Sequence, residues 1–112
     1  MSAPVGAGCL RMVLTLEAAL NTTDVGGGLI QIWLAYGPVF TEIKPLGAHE
    51  RQRAHHLGGE ITHEITVRTH PQRPVKSGMR FVNGLRIFRI LAVHDGEELG
   101  AHQICLVKED EQ

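Results

Sequence analysis

The chain has 112 residues, of which 43% are hydrophobic and 21% are charged, and its formal net charge is -1. This length allows one domain with a single core of modest size. The near-zero charge excludes a general attraction to nucleic acid or anionic membranes, and no apolar run approaches the roughly 20 residues that span a bilayer.

The strand signal comes from short runs in which apolar and polar side chains alternate, because period two is typical of a strand with one face on a core. The clearest run is residues 60–69, where Ile61, Ile65 and Val67 share one face. In chain order, the predicted strands are residues 10–18, 29–34, 39–44, 60–69, 79–82, 85–93 and 102–108. Six or seven short strands predict an all-β domain, either a small antiparallel barrel or a sandwich.

Turn-forming residues separate these strands. Residues 21–28 combine asparagine, aspartate and three glycines, which tolerate the positive φ angles of turns. Gly37 and Pro38 are expected to interrupt the sheet, because proline cannot donate to a strand ladder. Asn83-Gly84 is the dipeptide that best fits a two-residue type I′ turn, so it predicts a hairpin in the last third of the chain.

Three segments lie outside the predicted strands. Residues 1–8 predict a flexible arm before a single domain at 9–108, and residues 109–112 predict a disordered acidic tail. Residues 46–59 form one long insertion. Its middle contains helix formers, but the apolar stripe is too thin to bury well, so a short helix and a mobile loop both remain open.

Side chains that could carry chemistry are scattered along the chain. Cys9 and Cys105 lie near the two ends of the chain and could meet if the terminal strands pair. Two buried thiols are the favoured expectation, because the N-terminus lacks a signal peptide and the cytosol is reducing. His63 shares the face of Ile65 and is expected to point inward. The seven histidines show no metal-ligand spacing, and the two serines lie in no nucleophile elbow. The sequence therefore predicts no metal, no cofactor and no enzyme.

Nucleic-acid binding receives limited support. The five aromatic residues form no stripe with basic residues, so base reading is not expected. Phe81 and Phe88 flank the predicted hairpin, and at least one is expected in the core. Arg51 and Arg53 form a local basic cluster in the insertion, which a ring of subunits would multiply.

Nine landmarks follow one another in a characteristic order: a Gly-Gly turn, a tryptophan, a short strand entering a proline, a strand ending in arginine, a Met-Arg pair and a Gly-x-Arg-x-aromatic-x-Ile strand. These positions are Gly28, Trp33, Phe40, Pro45, Arg68, Arg80, Arg86, Phe88 and Ile90. Over residues 9–108 this order resembles the phage head-tail joining family, the head closure or stopper proteins that also occur in gene transfer agents. Phe40 departs from the pattern, because the family often has tryptophan there.

The resemblance implies a small β-barrel that assembles as a homo-oligomeric ring, with a portal or adaptor protein above and a tail terminator or tail protein below. Such a ring helps to retain packaged double-stranded DNA and provides the surface on which the tail docks. The resemblance further implies that the protein is part of a virion or gene transfer agent particle, is made in the bacterial cytoplasm and has no membrane partner. It also implies that the insertion lies near the central channel, with candidate residues Glu50, Arg51, Arg53, Ala54, His55 and His56. The alternative is a cytoplasmic barrel that binds nucleic acid or a protein partner.

Overall fold

The fold was obtained as a computed structural model, which describes residues 12–49, 60–70, 72, 74–95 and 101–110. Within these residues, six antiparallel strands form a closed barrel, which confirms the predicted fold class. The strands are β1 (Met12–Thr23), β2 (Leu29–Pro45), β3 (His63–Arg68), β4 (Arg80–Asn83), β5 (Arg86–Asp95) and β6 (His102–Glu109). Their order around the barrel is β1, β2, β3, β6, β5 and β4, and β4 pairs with β1 to close it.

The core fills the barrel with the inward-facing side chains of these strands. On β3, Ile65 and Val67 are buried while Arg68 is exposed, as the alternation predicts. Phe81 and Phe88 lie opposite each other across β4 and β5, and both are fully buried. The other members of the core cluster are Leu14, Leu16, Val75, Ile90, Cys105 and Val107.

β2 is one strand of 17 residues, so the predicted interruption at Gly37 and Pro38 is wrong. Pro38 pairs with Thr15 of β1, whereas β3 pairs with β2 only from Thr41 onward. Among the described strands, β2 therefore has a partner on one side only at Pro38. A proline is tolerated at such an edge position, because it disrupts no second ladder.

A β-bulge at Tyr36 changes which residues of β2 face the core. Leu16 lies opposite Gly37 and Glu17 lies opposite Ala35, so Tyr36 is the extra residue. Gly37 has a φ of 125°, a value that suits glycine. Cross-strand partners share a face of the sheet. In β2, the even-numbered residues before the bulge therefore lie on the same face as the odd-numbered residues after it, which is the face that carries Leu14 and Leu16 on β1.

The first hairpin is longer than predicted, because β1 continues to Thr23 and its turn spans only residues 24–28. The Asp24 N–H donates to the Gly28 carbonyl at 2.8 Å, and the Gly28 N–H donates to the Asp24 carboxylate at 2.7 Å. Gly27 has a φ of 84°, which glycine adopts without strain. The turn lies within the segment that the sequence predicts, but it begins three residues later than predicted.

The β4–β5 turn also lies one residue later than predicted. Asn83 pairs with Arg86, so the two loop residues are Gly84 and Leu85 rather than Asn83 and Gly84. Gly84 has a φ of 60°, and no non-glycine residue of the described chain has a positive φ. A glycine at the first loop position followed by a residue with negative φ is typical of a type II′ turn, not type I′.

Several predictions concern the ends of the chain and the insertion. The predicted disorder of the acidic tail is wrong for its first half, because β6 includes Glu109 and the Asp110 N–H donates to the Ile87 carbonyl at 2.9 Å. Cys105 is fully buried, as expected. The arm at 1–8, Cys9 and residues 50–59 of the insertion lie outside the described residues.

Candidate assembly surface

Residues 18–34, here called the ribbon, continue the β1–β2 hairpin past the barrel wall. β4 pairs with β1 only at residues 15–17, and β3 pairs with β2 only at residues 41–45. No third strand in the described part of the chain therefore pairs with the ribbon, whose two strands are held together by six residue pairs. At about 3.3 Å per residue, the ribbon is about 20 Å long.

One face of the ribbon is apolar and exposed. Leu20 pairs with Ile32, Thr22 with Ile30, and Ala18 with Leu34, all on the face of β1 that carries Leu14 and Leu16. The exposed fractions are 45% for Leu20, 41% for Ile30, 41% for Ile32 and 47% for Leu34. Together they leave on the order of 300 Å² of apolar surface open, and patches of this kind mark protein-interaction sites. The face that forms core inside the barrel is therefore uncovered beyond it.

The opposite face of the ribbon is attached to the barrel wall through Trp33. The Arg80 guanidinium lies 4.0 Å from the centre of the Trp33 ring, and its Nε donates to the Glu17 carboxylate at 2.7 Å. The Arg80 and Glu17 side chains are only 22% and 19% exposed. These contacts hold the base of the ribbon in a defined direction relative to β4.

The ribbon is almost free of charge. Residues 18–34 contain one ionisable side chain, Asp24, and no lysine or arginine. The Asp24 carboxylate accepts a hydrogen bond within the turn. A surface without cations cannot neutralise phosphates, so the chemistry of this face suits an apolar protein surface rather than DNA or anionic lipid.

A second apolar patch, here called the wall patch, lies on the outer face of the barrel. Val13 and Phe40 form a cross-strand pair on the face of β1 opposite to Leu14, and they are 47% and 65% exposed. The adjoining outward pair, Thr15 and Pro38, is also uncharged. The wall patch and the apolar ribbon face therefore lie on opposite faces of the same two strands.

The insertion joins the barrel at the end opposite to the ribbon. It leaves at Pro45 and returns before His63, and these two residues are paired. The Leu46 N–H donates to the Thr62 carbonyl at 3.0 Å, and the Thr62 N–H donates to the Val107 carbonyl at 2.9 Å. The base of the insertion is thus closed by one backbone hydrogen bond between its two ends and one to β6.

Charged side chains surround this insertion end. Arg86 binds the Glu109 carboxylate through two hydrogen bonds of 2.7 and 3.2 Å, and Lys108 lies 3.0 Å from Glu60. The hydrogen bond from Arg86 lowers the pKa of Glu109, and the same bond raises the pKa of Arg86. His63 is partly buried, with its Nε2 3.8 Å from Glu109 and its ring edge-on to Phe88. The ribbon itself is therefore almost uncharged, whereas the end from which the insertion leaves carries several ion pairs.

The landmark residues predicted from the sequence are dispersed over the barrel. Gly28 lies in the ribbon turn, Trp33 and Arg80 form the ribbon contact, and Phe40 is exposed on the wall. The remaining landmarks are Pro45 at the end of β2, Arg68 exposed at the end of β3, Arg86 bound to Glu109, and Phe88 and Ile90 in the core. The candidate channel residues Glu50, Arg51, Arg53, Ala54, His55 and His56 lie outside the described residues. The sequence reasoning missed the apolar ribbon face.

The described residues contain no group of three or more histidine, cysteine, aspartate or glutamate side chains placed to hold a metal ion. The same part of the chain contains no helix that is long and apolar enough to cross a membrane.

Comparison with known proteins places the barrel in a class of structural virion proteins. The sequence profile described as phage head completion protein matches residues 6–110, so the chain belongs to the phage head completion protein family. A chain in the virion structure of a native gene transfer agent particle is 30% identical, with 88% of this chain and 92% of that chain covered at a TM-score of 0.64. This membership confirms the family suggested by the landmark order.

A second structural neighbour shares the fold alone. The solution structure of a Shigella flexneri 2a protein is 16% identical, covers 94% of this chain and 96% of its own, and has a TM-score of 0.71. The search of curated proteins found no match.

Proposed function

We propose that the chain is a head-tail connector of the stopper type in a phage or gene transfer agent particle. It forms a ring beneath the portal or adaptor protein, helps to retain packaged DNA and offers the surface on which the tail docks. The observation that carries this proposal is the family match over residues 6–110, together with the neighbour from a gene transfer agent virion.

The arrangement of the barrel supports this role because the ribbon and the insertion are attached at opposite ends. The insertion contains Arg51, Arg53, His55 and His56, whereas the ribbon contains no basic residue. An element that meets DNA needs cations for the phosphates, and an element that meets neighbouring proteins needs apolar surface. The insertion is therefore the proposed channel element, and the ribbon is the proposed protein contact.

Deleting residues 48–59 tests the channel role. A short Gly-Ser linker between Gly47 and Glu60 should leave the barrel folded, because the Pro45–His63 pair and the Leu46–Thr62 hydrogen bond close the base without the insertion. In cells that lack the native gene, the deletion variant should yield particles that lose DNA or lack tails. Encapsidated DNA is measured by nuclease protection, and tails are counted by electron microscopy.

A charge variant serves as a second test that does not depend on the deletion folding. Arg51→Ala combined with Arg53→Ala should reduce nuclease-protected DNA, whereas Arg89→Ala, which removes an exposed arginine paired with Asp110, should not. Full, tailed particles from both the deletion and the double variant would refute the channel role of the insertion. An unfolded deletion variant would show that the insertion is structural.

A further inference from the structure

We propose that the apolar ribbon face of one subunit packs on the wall patch of a second copy of this chain. The inference rests on the proposed function, because it names the lateral contact of the proposed ring. It starts from two exposed apolar surfaces of one molecule: Leu20, Ile30, Ile32 and Leu34 on the ribbon, and Val13 with Phe40 on the wall.

The chemistry of the two surfaces is matched. Neither contains a charged residue, and on one side the wall patch adjoins Thr15 and Pro38, which are uncharged as well. On its other side lies Glu42, two residues after Phe40 on the same face of β2. Contact between the ribbon and the wall on the Thr15–Pro38 side of the patch therefore removes apolar surface from water without burying this carboxylate. DNA and anionic lipid are poor occupants of the ribbon face, because residues 18–34 offer them no lysine or arginine.

The positions of the two surfaces determine the symmetry of the contact. They lie on opposite faces of the same β1–β2 strands, so a subunit that offers its ribbon to a neighbour keeps its own wall patch free for the next one. This is a heterologous, head-to-tail contact, and such a contact forms a ring when its rotation closes. Two ribbon faces packed on each other would instead give an isologous dimer.

The sizes of the surfaces determine how strongly two isolated subunits associate. The ribbon face offers on the order of 300 Å² of apolar surface and the wall patch about 200 Å², well below the roughly 1,200 Å² of total area that a stable complex buries. A single contact is therefore weak, and each subunit uses both surfaces only within a closed ring. The isolated chain is monomeric at low concentration under this proposal.

Cysteine trapping tests the contact directly. The variant carries Ile32→Cys and Phe40→Cys in a Cys9→Ser background, while the buried Cys105 stays in place. The two new thiols cannot join within one subunit, because they lie eight residues apart on opposite faces of β2. Mild oxidation at high protein concentration should give a ladder of dimers, trimers and larger species on a non-reducing gel.

The matched control places the first cysteine on the other ribbon face. Gln31→Cys with Phe40→Cys should cross-link at least about tenfold more slowly, because the reacting thiols are not held at high effective concentration. Equal rates for the two pairs would overturn the proposal. Efficient dimers from Ile32→Cys alone, without larger species, would also overturn it in favour of an isologous contact.

Added charge gives a second, independent measurement on the same cysteine pair. Leu20→Glu lies on the apolar ribbon face and should slow cross-linking by about tenfold or more, since a buried, unpaired carboxylate opposes the contact. Asn21→Glu lies on the opposite face and should leave the rate unchanged. Both positions are exposed, and circular dichroism checks that each variant remains folded. The same rate in both variants would contradict the proposed contact.

These outcomes separate the contact from the proposed function. A cross-linked ladder together with full, tailed particles from the insertion variants would support the ribbon contact and refute the channel role. Loss of DNA or tails from those variants, without a ladder, would support the connector role and refute the packing of a second copy on the ribbon face.

Discussion

Arg80→Ala should destabilise the barrel by about 2 kcal/mol and release the base of the ribbon. The Arg80–Glu17 ion pair is short, at 2.7 Å, and its side chains are 22% and 19% exposed, which puts it at the upper end of ordinary ion pairs, about 1 kcal/mol. The guanidinium lies 4.0 Å from the Trp33 ring centre, a cation–π contact that contributes about 1 kcal/mol more. At about 4 °C per kcal/mol for a chain of this size, the Tm should fall by about 8 °C.

Trp33 provides the assay, because it is the chain's one tryptophan. Urea unfolding followed by its fluorescence gives the free energy of unfolding, and its emission maximum should move to longer wavelength in folded Arg80→Ala as the ring loses its cover. Arg80→Lys keeps the charge without the planar guanidinium, so its loss should be intermediate.

Arg89→Ala is the matched control for this prediction. Arg89 pairs with Asp110 at 2.8 Å, but the side chains are 49% and 34% exposed, so its removal should cost about 0.5 kcal/mol or less. Its Trp33 emission should match that of the unaltered chain. If Arg80→Ala loses no more stability than Arg89→Ala, then the Trp33–Arg80–Glu17 contact does not stabilise the ribbon.

Two further predictions concern the core and the second turn. Burial raises the pKa of the Cys105 thiol from 9.0 to about 12, so the folded state holds this proton more tightly than the unfolded state. The resulting stabilisation is complete below pH 9 and falls as the pH rises toward 12, by up to about 1.4 kcal/mol per pH unit. Urea unfolding at pH 8 to 11 should show this extra loss relative to Cys105→Ala, and parallel pH profiles would contradict it. In the same assay, Gly84→Ala should lower the free energy of unfolding by about 1 kcal/mol, because Gly84 has a positive φ. Asn83→Ala should lower it by less than about 0.5 kcal/mol. Equal losses in the two variants would argue against the type II′ turn.

The alternation of side chains predicted the barrel wall well, because a half-buried strand leaves a direct trace in the sequence. Local patterns predict Ile65 and Val67 on the buried face and at least one of Phe81 and Phe88 in the core, and all four are buried. The order of landmarks likewise predicted the family, which the profile match confirms. These features depend on neighbours in the chain or on the order of short motifs.

The ribbon could not be predicted as readily, because its exposure depends on strands that pair elsewhere. The apolar run at Leu29, Ile30, Ile32 and Leu34 reads as an ordinary core strand, and only the short pairings of β3 and β4 leave it uncovered. One signal was present in the sequence: the apolar parity changes across Tyr36, as a bulge within a continuous strand requires. Pro38 indicated a break at this point, so β2 was predicted as two separate strands.

Closure of the barrel depends on a seam that joins distant parts of the chain. β1 meets β4 through three residue pairs, and the Glu17–Arg80 contact within that seam connects residues 63 positions apart. Contacts over such separations carry a large loop-closure entropy and slow the folding of β-rich domains. During synthesis, β1 can therefore pair with β4 and complete the barrel wall only after β4 has been made. During that interval its apolar faces are open to solvent, so the newly made chain has the greatest exposure to aggregation before the seam forms.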